Sequence, residues 1–539
     1  MASQIKQFGN FCGLLYRKTP GIVWYTILLF NLSSLYLGYD QVMFSALQAT
    51  PSFLKDFGEV KNDTTLLGAH QSSIMNSVPL VGKFLGCAVA APINEKFGYK
   101  WTVFIGCFCQ ILGIVLEMAT KNWGAFTAGR VLLYMAVGLG ENVIPIYQAE
   151  VVLPQFRGFF GGVYLLGVAI GSLWASLSVR AISTRTDTKA WLIACCQQFP
   201  PGVLLLAGLW WCPPSPRWLM DKGRKEEAIQ VLRRVRAKGP DQEEWIELEV
   251  SAIEESLEYD KSINTGTWLN LFQGNNLRRT LVCSMLWVGN NWTGNTFIST
   301  YATTLYIQLG LRAQAFNYSV IKACITIVMA IIGMLMIDKV GRRPTLIYGC
   351  AFQAIFLFIM GGIGVSANPT DSGLRMMVAC IMLFKCAVVI SLQFLGPVVT
   401  AEISSPSTRR KMFAFACCVD VVTAWGVSFS SPYMLSAQYA NMGAKVAFIF
   451  AGVSTVFVFL CYFFVPELKG RSLEEIDELF AAKLWAWQFS SYKTRGLGRS
   501  VVEHYETGKS LDETKVEEID EKTVQTDVEV AAVHTIGMS

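Results

Sequence analysis

Histidine is nearly missing from this sequence, at 3 of 539 residues, and charge is scarce, with Asp, Glu, Lys and Arg together making 16%. The first shortage leaves the 15 scattered cysteines without the partners of a mixed metal site, and they read as small buried hydrophobes. No paired nucleophile and base, metal-ligand spacing or phosphate-cradling loop stands out, so the reading is of a non-enzyme that needs no cofactor. The second shortage excludes an ordinary soluble multidomain protein. The net charge of +5 is concentrated in loops and gives no indication of nucleic acid as a partner. A cleavable leader is not evident either. The N-terminus, "MASQIKQFGN", is polar, and the first long apolar run ends without a small-residue cleavage site.

What is present is apolar: 53% of residues are hydrophobic and the mean hydropathy is +0.40. These residues come in runs of about 20, the length that crosses a hydrocarbon layer of roughly 30 Å at 1.5 Å per residue. Twelve such runs fall at about 21–45, 71–92, 101–120, 124–147, 158–180, 190–212, 279–305, 317–337, 345–365, 375–399, 411–434 and 446–465. An all-α, multi-pass membrane protein is expected, with the bilayer as its surroundings. The basic loops "NEKFGYKW", "LPQFRG", "GRKEEAIQVLRRVRAKG", "DKVGRRPT" and "SPSTRRK" share one side, which places both termini in the cytoplasm; "RAISTRTDTK" dissents. The sequons at Asn62 and Asn317 then lie outside, as glycosylation candidates.

The loops also repeat. "NEKFGYKWT" recurs as "DKVGRRPTL", "AEVVLPQFRG" as "AEISSPSTRR", and "PPSPRWLMDKGR" more loosely as "PELKGRSLEEI". Gly98 to Gly341 is 243 residues; Glu150 to Glu402 and Arg157 to Arg409 are both 252. Such a parallel repeat of six helices places a substrate site near the midplane between two halves. The expected organisation is a cytoplasmic segment 1–20, one half at 21–212, a linker at 213–276, a second half at 279–465 and a tail at 466–539, disordered beyond about 485. In the linker, Ala228, Leu232 and Val235, then Trp245, Leu248 and Ala252, fall at helical spacing. Gly98 and Gly341 suit tight turns, and Glu150 and Glu402 can pair with Arg157, Arg342, Arg409 or neighbouring bases as a cytoplasmic gate. The plainer alternative is that the bases only satisfy the positive-inside rule.

These paired loops resemble those of the major facilitator superfamily and, within it, the sugar porter family in a fungal-type version. "GRVLLYMAVGLGENVIPIYQAEVVLPQFRG", "SPRWLMDKGRKEEA" and "VPELKGRSLEEID" carry the resemblance, which covers about residues 25–480. It implies the major facilitator fold, with cytoplasmic helices between the halves.

Charges within the spans are costly, about 2.5–3.5 kcal/mol each on insertion scales, and so are candidates for function. Asp40 lies roughly 28 Å along the first span and Arg130 roughly 9 Å below the outer end of the fourth, a shared depth. An Asp whose Arg partner moves away can take or release a proton; a permanent ion pair is the alternative. The resemblance implies the former, because proton-linked sugar porters carry Asp and Arg at the positions matching Asp40 and Arg130. Glu141, Lys385 and Asp420 fall outside the family pattern. A Lys385–Asp420 ion pair on adjacent helices, or contact of either with substrate, would offset their cost. Lys83 and Lys322 are near enough to span ends to snorkel.

Sugar recognition in the family draws on the seventh span, where "NNWTGNT" puts Asn290 and Asn291 in place of two glutamines and Thr296 in place of an asparagine. Trp292, Phe297 and Tyr301 offer aromatic surface. The fifth-span glutamine is replaced by Leu165 and the eighth-span asparagine by Thr326, so several sugar ligands are missing. The expectation is a monomeric, proton-coupled importer of a sugar or sugar-like polyol at the plasma membrane, working by alternating access. Alternatives are a carrier of another organic solute (an acid, glycoside or secondary metabolite, including export) and a non-transporting nutrient receptor.

Overall fold

In the computed structural model the described residues are 19–61, 64–152, 157–236, 268–308, 310–311, 314–366, 370–404, 408–436 and 438–469, with scattered positions of 243–254 and 471–492. The first six spans are Gly21–Leu47 (span 1), Ala69–Ser77 continued by Pro79–Phe97 (span 2), Tyr99–Ala119 (span 3), Trp123–Val151 (span 4), Arg157–Ile182 (span 5) and Thr188–Cys196 continued by Phe199–Gly208 (span 6). The second six are Gly274–Asn290 continued by Thr296–Gln308 (span 7), Ala315–Val340 (span 8), Arg342–Ile363 (span 9), Asp371–Val388 continued by Phe394–Ile403 (span 10), Arg409–Leu435 (span 11) and Val446–Phe464 (span 12). Among the described residues ten of these are long and apolar enough to cross a membrane. Spans 4 and 7 are the other two: Arg130, Glu141 and Glu150 dilute one, and the polar run at 290–295 dilutes the other. A short antiparallel hairpin, Glu59–Lys61 with Thr64–Leu66, lies just beyond span 1 on the side away from the linker.

Helices suit this chain because a bilayer offers no hydrogen-bond partners, so each span must satisfy its own backbone. Leu28, Phe108, Leu281 and Phe459 stay exposed on the outside, where lipid replaces water. Between the halves, on the side away from the linker, the Ser45 hydroxyl donates to the Thr300 carbonyl at 2.6 Å and Ser73 to the Phe429 carbonyl at 2.8 Å. Beside that rim Asp56 is half-buried, which favours its neutral form. Hydrogen bonds from Trp191 Nε1 (2.9 Å) and Lys121 Nζ (3.5 Å) outweigh the burial and hold its carboxyl below the usual range.

The linker packs under the first half. Pro216–Asp221 and Lys225–Val235 are helices, and Ala228, Leu232 and Val235 bury into the same core as Tyr147 and Val151. Trp245, Leu248 and Ala252 lie outside the described residues. Arg236 ties the linker to the end of span 4, donating to the Val151 carbonyl at 2.7 Å and pairing with Glu249 at 2.5 Å. At the other end of the chain, packing continues past residue 485: the Phe489 ring is buried, and Arg471 donates to the Tyr492 carbonyl at 2.7 Å.

The repeated loops brace each half from the linker side. Gly98 and Gly341 turn the chain at φ of 81° and 100°, a region that penalises any Cβ. Arg342 forks onto Glu402 at 2.9 and 3.3 Å, while Glu467 accepts the backbone N–H groups of Arg342 and Arg343 at 3.0 and 3.2 Å. Glu150 accepts a hydrogen bond from the Ser215 hydroxyl. None of these contacts joins the first half to the second. Arg157 and Arg409 open spans 5 and 11, with side chains outside the described set; Asn62 also lies outside it. Asn317, in the first turn of span 8, is exposed and accepts from Arg180 Nε at 2.5 Å.

Candidate functional site

Spans 1 and 5 of the first half meet spans 7, 8 and 10 of the second around a cavity of about 90 Å³. Local chemistry shapes its walls. Span 7 interrupts its α-helix across Asn291–Asn295, a kink at which Gly294 takes a φ of 104°. Span 10 passes through a π-helical turn at Val389–Gln393. A break of this kind turns the rest of the helix about its axis, and the π turn in span 10 is of a sort that recurs in helices at functional positions.

That rotation corrects the register expected for span 7. Asn291 Nδ2 donates to the Asp420 carboxylate at 2.8 Å and to Thr423 Oγ1 at 3.0 Å, and Asn291 Oδ1 accepts from Thr296 at 2.6 Å. Asn290 accepts from Asn295 at 3.1 Å. Asn290, Asn291 and Thr296 are thus engaged within the helix bundle and do not line the cavity; Trp292 is 46% exposed on the outer surface. Phe297 stacks on Phe450 and Tyr301 donates to the Ser428 carbonyl, both as packing. From span 7 it is Asn295 and Ser299 that face the cavity, joined by Ser172 and Ser176 of span 5 and by Thr326 of span 8. Leu165 is there too.

Two lysines also line the cavity. Lys385 Nζ donates to Asn295 Oδ1 at 2.8 Å and Gln393 Oε1 at 3.1 Å, which replaces the expected pairing with Asp420. Lys322 is 5% exposed and donates to the Ile298 carbonyl at 3.4 Å, so it does not snorkel. Lys83 does not snorkel either. It lies at the middle of span 2 and pairs with Glu141 of span 4 at 2.8 Å and Asp420 of span 11 at 3.4 Å. The mid-span location that made Asp420 costly is offset by a cation from the other half, because span 2 abuts span 11 and span 10 turns Lys385 toward span 7.

Asp40 and Arg130 do meet. The guanidinium donates to Asp40 Oδ2 at 3.3 Å, with side chains 1% and 2% exposed. Arg130 also donates to the Met75 carbonyl at 2.8 Å and to Tyr134 Oη at 3.3 Å, and stacks 3.8 Å from the Phe44 ring centroid. The Met75 contact arises from local sequence: Pro79, four residues on, has no N–H to give that carbonyl. Sequence reasoning missed Glu117 of span 3, whose carboxylate lies 3.9 Å from Arg130 Nε and is fully buried. Two carboxylates therefore face one guanidinium. The signal was available, since Glu117 is three residues inside the expected end of its span, but that position also suits a carboxylate at the lipid surface.

Comparison with known proteins fits this geometry. The model of a family described as sugar (and other) transporter matches residues 26–480. The chain is 28% identical over 512 residues to the major facilitator-type transporter ecdD of Aspergillus rugulosus, covering 91% of this chain and 94% of that one. It is 30% identical over 481 residues to a probable quinate permease of Aspergillus fumigatus, covering 84% and 87%. Among solved structures, the proton:xylose symporter XylE bound to 6-bromo-6-deoxy-D-glucose superposes with a TM-score of 0.71 at 21% identity, over 85% of this chain and 99% of that chain. An inward-open form of the xylose transporter XylE from E. coli gives 0.69 at 21%, with the same coverage of 85% and 99%. The likeness shows a shared fold: twelve helices in two six-helix halves.

Proposed function

The chain belongs to the sugar (and other) transporter family, and we propose that it is a secondary carrier importing a small hydroxylated solute together with a proton. The observation that carries this reading is the buried contact of Asp40 with Arg130. A carboxylate sealed at that depth is costly unless paired. If rocking of the halves shifts the guanidinium, taking a proton is the cheaper way for the carboxylate to stay in place. The conformational change and the proton are then linked through one pair.

The cargo reading rests on the cavity. Ser172, Ser176, Ser299 and Thr326 supply hydroxyls and Asn295 an amide, groups that match a polyhydroxylated solute of modest size. The named relatives fit this class: one is called a quinate permease and the superposed structure is of a proton:xylose symporter. Import across the plasma membrane by a monomer, with both termini and the linker cytoplasmic and the boundaries between halves at 212 and 279, completes the proposal.

Reconstituted protein tests it. In proteoliposomes Asp40→Asn should lose uphill, pH-driven uptake while keeping exchange of substrate across the membrane. Accumulation equal to that of the unmodified protein would rule out Asp40 as the coupling group.

A further inference from the structure

Arg130, Lys83, Lys322 and Lys385 are buried cations within the spans, and their contacts divide sharply. Arg130 has Asp40 and Glu117, and Lys83 has Glu141 and Asp420. Lys322 and Lys385 have no carboxylate within ion-pair distance among the described residues, and their hydrogen bonds go only to neutral oxygens: the Ile298 carbonyl, Asn295 Oδ1 and Gln393 Oε1. Both are at least nine-tenths buried, and both line the same cavity. Two unpaired ammonium groups on facing helices, inside the membrane, cost more than either alone. The cost falls when an anion enters between them.

We propose that the cavity is an anion site, and that the cargo is a hydroxylated organic acid whose carboxylate is held by Lys322 and Lys385. The hydroxyls of the same molecule then meet Ser172 and Ser176 of span 5 and, one turn along span 8 from Lys322, Thr326. Neutral hydrogen bonds position the lysines without cancelling their charge: Asn295 and Gln393 fix Lys385 from the two helix breaks, so the ammonium waits in place for its counter-ion. Selectivity results, because a neutral sugar of the same shape leaves both charges uncompensated. This inference rests on the carrier reading above and narrows its cargo.

The test uses purified full-length protein and ring- or chain-matched pairs: D-glucuronate with D-glucose, D-gluconate with D-glucitol, and quinate with a neutral cyclohexane polyol. Binding is monitored by thermal shift and by competition for uptake in proteoliposomes. At least one acid should bind about tenfold or more tighter than its neutral partner, as a charge-assisted contact implies. Lys385→Gln and Lys322→Gln should each lower that affinity about tenfold or more, and Lys385→Arg should retain most of it. Without ligand, the Gln variants should melt no lower than the parent protein, since each removes an uncompensated buried charge. That separates lost binding from lost folding.

Equal binding of acid and neutral partner, acid binding unchanged in both Gln variants, or no acid shifting the melting temperature would each overturn the anion site. Uphill uptake of a neutral sugar with these results would leave the carrier reading standing. Acid binding with no uptake would do the reverse.

Discussion

Arg130 is held from several directions: by Asp40 and Glu117, by the Met75 carbonyl, and by the faces of Phe44 and Tyr134. A lysine could not reproduce these contacts, because the planar fork spreads its donors over separate partners. Arg130→Lys should therefore lose most uphill uptake even though the charge is kept, a result read from initial rates in proteoliposomes. Glu117 brings a second carboxylate to one guanidinium, with Tyr36 and Cys195 as its other titratable neighbours. Excess negative charge favours holding a proton on the cluster. Glu117→Gln removes that excess, so uptake should survive but fall away at lower pH than in the unmodified protein. A superimposable pH profile would count against any electrostatic part for Glu117.

At the scale of elements, prolines within the spans mark where helices exchange hydrogen bonds. Pro79 leaves the Met75 carbonyl without its in-helix donor and Arg130 supplies one. Pro432 does the same to the Ser428 carbonyl, and the Tyr301 hydroxyl answers at 2.9 Å. Tyr301→Phe should cost about 1–3 kcal/mol, the usual penalty for a buried polar group left unmade, measured as a lower melting temperature in detergent. Span 2 approaches span 4 closely because Gly82 has no side chain: a Cβ there would sit 2.0 Å from the Val131 carbonyl oxygen. The approach brings Lys83, one residue on, within 2.8 Å of Glu141, as small residues permit between membrane helices.

For the whole molecule, the trio of Lys83, Glu141 and Asp420 is an electrostatic tie between the halves near the midplane. Lys83→Met would strand the buried Asp420 carboxylate and the half-buried Glu141 beside it, so a loss of about 3–5 kcal/mol is expected, seen as poor yield or early melting. Adding Asp420→Asn to that variant should recover part of the loss, since one stranded charge is then removed. The same balance extends to the cavity. Asp40, Glu117, Glu141 and Asp420 are four carboxylates, and Arg130, Lys83, Lys322 and Lys385 are four cations, yet the carboxylates are shared between only two of the cations. Within this set the cations without a carboxylate are the two at the cavity.

The sequence by itself determined what depends on distance along the chain. Run length set the spans, matched loops showed the six-helix repeat, and a fixed rise per residue put Asp40 and Arg130 at one depth. Direction around a helix is a different quantity. It accumulates residue by residue, so a break in the helix redirects every side chain after it. Past the break at Asn291–Asn295 it is Asn295 and not Thr296 that faces the cavity, and there Asn295 meets Lys385, which does not pair with Asp420. The contact of span 2 with span 11, which gives Lys83 to Asp420, is set by the packing of whole halves. Depth was legible in the sequence; azimuth and the pairing of neighbours were decided only by the tertiary structure, because both depend on surfaces that exist only once the helices are packed.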